Sequence, residues 1–96
     1  MPRAHTWPCF PIKVLVKDAR GIRELQYGGQ RPLWLGRDPG CDIPLLTQRC
    51  SARHACILFE GGKLIVRDSD SQHGTAVNEA RVLNAELNEN DVIRIG

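Results

Sequence analysis

The sequence predicts an all-β domain built from short strands joined by many turns. Nine glycines and six prolines among 96 residues interrupt the chain too often for long helices. Between these interruptions lie short runs of branched apolar residues, which are typical of strands. A chain of this length builds a single hydrophobic core.

The first half of the chain contains four such runs. The first, residues 12–18, is rich in Val, Leu and Ile and ends at an Asp followed by an Ala-Arg-Gly turn. The second, weaker run covers residues 22–27 and stops at two glycines. The third, residues 33–36, begins after a proline, which suits the entrance of a strand. A tight Asp-Pro-Gly loop then separates it from the short run 42–45.

The second half begins with a predicted hairpin. Residues 55–59 are apolar, Gly61 and Gly62 suit a tight turn, and residues 63–67 resume an extended pattern. The final residues, 91–96, alternate between apolar and polar as a half-buried strand does.

Residues 76–89 fit two structures. Val77, Ala80, Leu83 and Leu87 recur at helical spacing and predict a helix. Four asparagines in or just after this stretch suit turns instead, and a lone helix would be unusual among short strands. The pattern alone leaves both interpretations open.

The charge balance argues against a domain that binds nucleic acid directly. Thirteen Lys and Arg against eleven Asp and Glu give a net charge of +2, far from a strongly basic surface. Residues 1–56 carry nine basic and four acidic groups, whereas residues 57–96 carry four and seven, so an anion site is expected in the first half. Ten of the thirteen cations are arginine, whose planar fork matches phosphate or carboxylate with two hydrogen bonds.

Residues 1–11 predict an N-terminal tail before a domain of residues 12–96, because they hold three prolines and no periodicity. Trp7 and Phe10 are candidates to pack onto that domain. The tail does not have the apolar run of a signal peptide, and no stretch approaches the ~18 apolar residues of a membrane span. We therefore expect a soluble intracellular protein with no membrane partner, in which the four cysteines are free thiols.

Two alternatives would use the cysteines for chemistry. Cys50 or Cys56 with His54 or His73 would form a thiolate–imidazole pair, and Cys50, His54 and Cys56 would supply three zinc ligands. However, Cys56 lies in an apolar strand pattern, where a thiol usually acts as a small hydrophobic group. Paired Cys-x-x-Cys spacing and a clear fourth ligand are also missing. The sequence therefore predicts neither an enzyme nor a metal or cofactor site.

Three polar segments each lie where a predicted strand opens into a loop. They are residues 36–43, 51–55 and 68–78. Together they offer an arginine fork, a short hydroxyl donor and amide-type donors, which is the set that a phosphoryl group needs. The segments therefore predict a phosphate site where the loops converge.

Residues 12–96 resemble the forkhead-associated (FHA) domain family, whose members carry a Gly-Arg, a Ser-x-x-His and an Asn-Gly-Thr motif in this order. The matching residues are Gly36-Arg37, Ser51 with His54, and Gly74-Thr75, followed by a closing pattern from Leu87 to Gly96. The resemblance implies an antiparallel two-sheet β-sandwich in which residues 76–89 are strands and not a helix. It also implies a non-catalytic module whose loops at one end bind phosphothreonine peptides.

The resemblance assigns the phosphopeptide contacts to residues of these loops. Arg37 would grip the phosphate oxygens, and the Ser51 hydroxyl would donate a hydrogen bond to them. Arg53 would add a third contact, this one also positive, and Gln72 is a loop-surface residue that is a further candidate to touch the phosphate. Arg49 lies in the loop with which family members read the residue three places after the phosphothreonine. We therefore expect a preference for Asp or Glu at that place.

Five further residues are expected to support the site. They are Gly36, His54, Gly74, Thr75 and Asn78. His54 resembles the family's buried brace, whose ring holds the serine-bearing loop in shape. The two glycines permit close backbone approach or turns that a side chain would block, and Thr75 and Asn78 set the conformation of their loops.

His73 departs from the family pattern, because it replaces an asparagine whose amide clamps the peptide backbone. A neutral imidazole also has one donor and one acceptor, but at different positions on a bulkier ring. A protonated His73 would attract phosphate, so affinity is expected to rise in mild acid. Protonation of the phosphate dianion, whose second pKa is ~6, lowers its negative charge in acid and opposes this effect.

A second departure is the end of the sequence at Gly96, since family members usually continue into one further strand. That final strand is missing from this chain, and an open sheet edge pairs with any strand that is offered. Either the sequence is cut short or another segment covers the edge, so a homodimer is one expectation.

These observations predict a phosphothreonine-dependent module that recruits phosphorylated partner proteins in signalling. The resemblance extends to the N-terminal FHA domains of DNA-damage and checkpoint proteins, which implies a nuclear location, with the cytoplasm as the alternative. The alternative function is an FHA-fold module that dimerises or binds unmodified protein.

Overall fold

A computed structural model of the chain describes residues 7–18 and 20–95. Every regular element within these residues is a strand, which confirms the all-β prediction. No membrane-spanning helix is found in this part of the chain. Expectations for residues 1–6, Ala19 and Gly96 fall outside the described residues.

Ten strands form in the described residues, and most of them match the predicted apolar runs. They are β1 (Ile12–Asp18), β2 (Gly21–Tyr27), β3 (Leu33–Gly36), β4 (Ile43–Pro44), β5 (Ala55–Glu60), β6 (Lys63–Asp68), β7 (Thr75–Val77), β8 (Ala80–Val82), β9 (Asn84–Glu86) and β10 (Ile93–Ile95).

The strands form two layers around one hydrophobic core. One layer is a sheet with the order β4-β3-β5-β6-β9, and the other comprises the β1-β2 hairpin and the group β10-β7-β8. Each of these three sheets contributes buried side chains to one cluster: Val16 and Tyr27 from the hairpin, Leu35, Ile57 and Val66 from the larger sheet, and Val77 from the third group. The predicted β-sandwich is therefore confirmed.

The β5-β6 hairpin forms as predicted and positions two residues of the candidate site. Gly61 and Gly62 have φ of +61° and +78°, the left-handed values that a type I′ turn requires at both central positions. At the other end of the hairpin, β5 begins just after His54 and β6 ends at Asp68. Because Ala55 pairs with Asp68, the loops that precede β5 and follow β6 leave the sheet side by side.

Residues 76–89 form strands, as the family resemblance implied, and the helix that their apolar spacing alone suggested does not form. A two-residue turn at Asn78 and Glu79, with φ of +50° and +70°, joins β7 to β8. Leu83 is 78% exposed whereas Leu87 is 4% exposed, so these apolar residues do not share one buried face. Asparagine tolerates the left-handed conformation that this turn requires, and the turn overrides the helical spacing.

The segment that precedes β1 covers one part of the core. The Trp7 indole N–H donates to the Leu87 carbonyl at 2.8 Å. The Phe10 ring packs edge-on against Tyr27 and Phe59, with centroid distances of 6.1 and 4.9 Å. These contacts confirm that Trp7 and Phe10 pack onto the domain.

An ion cluster ties the β1-β2 hairpin to β4. The Asp18 carboxylate accepts hydrogen bonds from Arg20 at 3.1 Å and Arg23 at 2.9 Å, and both guanidinium groups also donate to the Pro44 carbonyl. The hydrogen bonds from Arg20 lower the pKa of Asp18 from 3.8 to about 2. The cluster therefore fixes the point at which the chain leaves β4 for the next loop.

Candidate functional site

The loop that follows β3 and the loop that follows β4 are joined by backbone hydrogen bonds. The Arg37 N–H donates to the Ser51 carbonyl at 3.0 Å, and the Asp38 N–H donates to the Ala52 carbonyl at 3.1 Å. A Cβ at Gly36 would collide with the Ala52 carbonyl oxygen, so this approach requires glycine. Arg37 and Ser51, which are distant in sequence, thus become neighbours at one end of the sandwich.

The Ser51 hydroxyl is oriented by the loop that follows β6. Its oxygen accepts a hydrogen bond from the Gln72 N–H at 3.1 Å. Because a hydroxyl is both donor and acceptor, the Ser51 proton remains available to donate to a ligand. Gln72 therefore enters the site through its backbone, while its side chain is exposed.

His54 is fully buried and links the loop of Ser51 to the loop that follows β6. Its Nδ1 accepts from the Ser51 N–H at 3.1 Å, and its Nε2 lies 2.7 Å from the Gly74 carbonyl. A backbone N–H can only donate and a carbonyl can only accept, so these partners specify the neutral ring with its proton on Nε2. Both ring nitrogens are occupied by the backbone, and neither is free to bind a ligand.

Asp68 organises the loop that follows β6, a role that the sequence did not reveal. Its carboxylate accepts hydrogen bonds from the Ser71 N–H, the Ser71 hydroxyl and the Thr75 hydroxyl. The Ser71 oxygen in turn accepts from the Gly74 N–H at 3.0 Å. An Asp three residues before a Ser is the available signal for such a side-chain-capped loop. A second aspartate in the same loop, Asp70, is exposed and obscures that signal.

Arg37 is exposed and lies close to the loop that carries Ser51, residues 45–54, which we call the serine loop. Burial raises the pKa of the Cys50 thiol, the residue before Ser51, and the positive charge of Arg37 offsets part of this rise. Arg49 is exposed in the same loop. Within residues 7–18 and 20–95, neither arginine forms an ion pair or a side-chain hydrogen bond. Both charges are therefore available to a ligand.

Arg53 is placed differently from the other cations. Its guanidinium carbon lies 5.2 Å from the centroid of the Trp34 ring, in a cation–π arrangement. The structure thus brings Arg53 to the same loop as Ser51 but directs its charge to the indole face.

The remaining predicted residues occupy both ends of β7. His73 is exposed at the end of the loop, beside Gly74, whose φ is +88°. Asn78 lies at the far end of the strand, where its side chain donates to Asp91 at 2.9 Å and accepts from the Val92 N–H at 3.0 Å. Asn78 therefore fixes the turn after β7 and not the loop that carries Gln72.

The thiols near the site do not form a reactive centre. Cys41, Cys50 and Cys56 are buried and unpaired, and burial raises the pKa of each. His54 has no free nitrogen with which to act as a base towards Cys50. In the described part of the chain, no group of three or more His, Cys, Asp or Glu side chains could hold a metal ion.

A β-sandwich whose end loops set an unpaired arginine beside a hydroxyl donor has the architecture of an anion-recognition module. Residues 33–96 match the sequence profile of the FHA domain, and this match covers about two thirds of the chain. The chain therefore belongs to the FHA family, as its motifs indicated. FHA domains are non-enzymatic phosphopeptide-binding modules, so the expectation that this chain is not an enzyme is confirmed.

A curated relative is the glycogen accumulation regulator GarA of Mycolicibacterium smegmatis. It is 43% identical over 61 residues, which are 64% of this chain and 39% of GarA. The chain thus spans well under half the length of this relative.

Solved structures of FHA proteins match most of the chain. One, from a structural and functional analysis of phosphothreonine-dependent FHA domain interactions, is 32% identical with a TM-score of 0.74, over 88% of this chain and 84% of that one. Another is Mycobacterium tuberculosis EmbR in complex with a low-affinity phosphopeptide, at 27% identity and a TM-score of 0.73. It covers 86% of this chain and 22% of EmbR. Both matches support the family assignment and the fold.

Replacing Asp68 with Asn is expected to destabilise the domain by about 1–3 kcal/mol, because the new amide N–H₂ would face a buried donor and leave it without a partner. Urea unfolding at neutral pH measures this difference. Asp70→Asn is the matched control, since Asp70 is exposed and Asn tolerates its φ of +53°. Equal midpoints for the two variants would contradict the role given to Asp68.

The stability difference between wild type and Asp68→Asn is also expected to depend on pH. Burial raises the pKa of Asp68, but hydrogen bonds from Ser71 and Thr75 outweigh burial and hold it below 3.8. A lowered native pKa means that the carboxylate stabilises the fold above about pH 3.8 and loses this effect as the pH falls through the native value. The stability gap between wild type and Asp68→Asn should therefore narrow only below about pH 3.8. A gap that closes between pH 7 and 5 would contradict this account.

Proposed function

We propose that the chain binds phosphothreonine-containing segments of partner proteins, with the phosphate held by the Arg37 guanidinium and the Ser51 hydroxyl. A phosphothreonine carries about −1.5 to −2 charges at pH 7 and three strong acceptor oxygens. An unpaired arginine and an oriented hydroxyl donor complement both features. Arg53, Gln72 and His73 are further predicted contacts on the same loops.

The observation that carries this proposal is that Arg37 and Ser51, which are distant in sequence, are neighbours on adjoining loops. Their loops are joined backbone to backbone, and the hydroxyl is oriented by the Gln72 N–H, so the Ser51 donor and the backbone that carries Arg37 are in place before a ligand arrives. Such preorganisation reduces the ordering cost of binding. Charge-assisted hydrogen bonds contribute ~1.5–3 kcal/mol each, so two or three of them support an affinity in the micromolar range.

The related proteins support a phosphate-dependent function. Their sources do not point to the DNA-damage or checkpoint pathway that the sequence predicted. The analysis of phosphothreonine-dependent FHA interactions and the EmbR–phosphopeptide complex concern other members of the family. GarA and EmbR come from mycobacteria, which favours recruitment in a bacterial phosphorylation pathway for this chain as well. A role in DNA-damage or checkpoint signalling, and a nuclear location, stay predictions from the sequence.

A titration of one peptide in three forms, with phosphothreonine, phosphoserine or unmodified threonine, tests the proposal. We expect measurable binding only with phosphate, and the tightest binding with phosphothreonine. Arg37→Ala and Ser51→Ala should each weaken phosphopeptide binding by about tenfold or more, because each removes a bond to a charged group.

Lys63→Ala is the control for the loss of a positive charge. Lys63 is exposed and lies at the turn of the β5-β6 hairpin, at the opposite end of β6 from the site. Isothermal titration calorimetry measures all variants. Equal affinity for phosphorylated and unmodified peptides would overturn the proposal, as would equal losses in Arg37→Ala and Lys63→Ala.

We further propose that Arg49 selects an acidic residue three places after the phosphothreonine. The support is its exposed and unpaired charge in the serine loop, and an exposed ion pair contributes ~0.2–1 kcal/mol. Phosphopeptide arrays randomised at that place should show enrichment of Asp and Glu, and Arg49→Ala should abolish it. An unchanged profile in the variant would remove Arg49 from this role.

A homodimer is a second candidate function, and the open strand edges favour it. Among residues 7–18 and 20–95, β1 pairs only with β2, and β10 only with β7. Leu15 and Ile22, on the β1-β2 hairpin, are also 65% and 70% exposed. Unpaired edges are sites of strand addition. Sedimentation velocity over a concentration series should show dimer growth, and a strict monomer at every concentration would eliminate this candidate.

A further inference from the structure

A cavity of about 160 Å³ lies beside the proposed phosphate site, on the face of the β10-β7-β8 group. Its lining includes His73, Gly74, Glu79, Arg81 and Arg94. None of the roles assigned to the phosphothreonine uses Arg81 or Arg94. The cavity lies in the half of the chain that has excess negative charge, where the sequence did not predict an anion site.

The strand register explains why the cavity is cationic. Arg94 on β10 and Arg81 on β8 are both paired with Ala76 on β7, so the three residues form one row across the sheet. Directly paired residues project from the same face, and neighbouring strands lie ~4.7–4.9 Å apart. Two long cationic side chains therefore flank a small one, and the short alanine leaves space between them.

Arg81 has no acidic partner of its own. Its guanidinium lies so close to Gly74 that a Cβ there would come within 2.5 Å of Nε and 2.8 Å of the guanidinium carbon. In the described residues no carboxylate pairs with Arg81, which is exposed. Arg94, by contrast, is paired with Glu79 at 2.8 Å. The cavity thus holds two guanidinium groups and one carboxylate, which leaves one positive charge unmatched.

Gly74 connects this cavity to the proposed phosphate site. Its carbonyl accepts from the same His54 ring whose other nitrogen holds the Ser51 N–H. The imidazole of His54 is therefore the one group between the backbone of Gly74, against which Arg81 packs, and the serine loop. An extended peptide advances ~3.3 Å per residue, so four residues span about 13 Å. Two hydrogen bonds of 3.1 and 2.7 Å on either side of one imidazole place Gly74, which lines the cavity, within that reach of Ser51.

We infer that this cavity is a second anion subsite, which takes a phosphorylated or carboxylate side chain within about four residues of the phosphothreonine in the same bound segment. This inference rests on the proposed function, because the phosphothreonine anchors the segment. The second anion would bond to the free guanidinium of Arg81 and share Arg94 with Glu79. Arginine forks bind both carboxylate and phosphate with paired hydrogen bonds, so either group fits the subsite.

A set of phosphothreonine peptides tests the subsite. In each, one position from four residues before to four residues after the phosphothreonine carries alanine, glutamate or phosphothreonine. Besides the third place after the phosphothreonine, where Arg49 is proposed to act, we expect one position at which glutamate raises affinity about two- to fivefold over alanine, and phosphothreonine about tenfold, since exposed ion pairs are weak and a dianion engages two arginines. Affinity is measured by calorimetry at fixed ionic strength.

Three variants assign the effect to the cavity. Arg81→Ala should abolish the gain from the second anion while the alanine peptide keeps its affinity. Glu79→Gln should increase the gain, because it removes the one carboxylate that competes for Arg94. Lys63→Ala should leave the gain unchanged, since it removes a cation remote from the cavity. The opposite effects of Arg81→Ala and Glu79→Gln separate the subsite from a general loss of charge or of folding.

The outcomes distinguish this inference from the proposed function. If the alanine peptide does not bind wild type, the proposed function is wrong and the subsite with it. If the alanine peptide binds but no position shows a gain, the subsite is wrong and the proposed function stands. A gain at the additional position that survives in Arg81→Ala also overturns the subsite, and its loss in Arg49→Ala would assign it to the serine loop instead.

Discussion

The buried imidazole of His54 is the interaction on which the site depends. Three loops leave the same end of the sandwich, and one ring joins two of them by accepting from the Ser51 N–H and donating to the Gly74 carbonyl. A buried polar group with both nitrogens paired costs little, whereas one left without partners would cost ~1–3 kcal/mol for each missing bond. The fold therefore strongly favours the loop arrangement in which these two bonds are made.

Two other constraints complete the arrangement before any ligand binds. Gly36 lets the loop after β3 approach the serine loop, and Asp68 holds the loop after β6 through three hydrogen bonds. Both lie at the ends of strands in the larger sheet, whose register fixes where the loops begin. A weak ligand gains most from such rigidity, because little conformational entropy remains to be lost on binding.

The sequence predicted the features that local chemistry or short motifs determine. The Gly61-Gly62 turn and the apolar runs on either side of it are local signals, and the residues Gly36, Arg37, Ser51 and His54 carried the resemblance to the family. The sequence failed where distant residues decide the outcome. The helical spacing in 76–89 was misleading because Asn78 and Glu79 form a turn that depends on pairing between β7 and β8.

The functional residues that the sequence did not reveal also owe their roles to distant parts of the chain. Asp68 differs from Asp70 only in the partners that the fold gives it, and composition does not separate two aspartates in one polar loop. Arg81 and Arg94 acquire their relation only through their common pairing with Ala76 across three strands. Strand register is a long-range property that a single sequence encodes weakly.

The stacking of Arg53 on Trp34 affects how strongly a bound anion is held. If the Arg53 guanidinium leaves the indole face to reach a phosphate, it loses an attraction of roughly 0.5–1 kcal/mol. Its net addition to binding is then the difference between two attractions, and it is smaller than the contribution of an arginine with no prior partner. Under the proposed function, the indole would therefore compete with a bound phosphate for this guanidinium and reduce the contribution of Arg53 to binding.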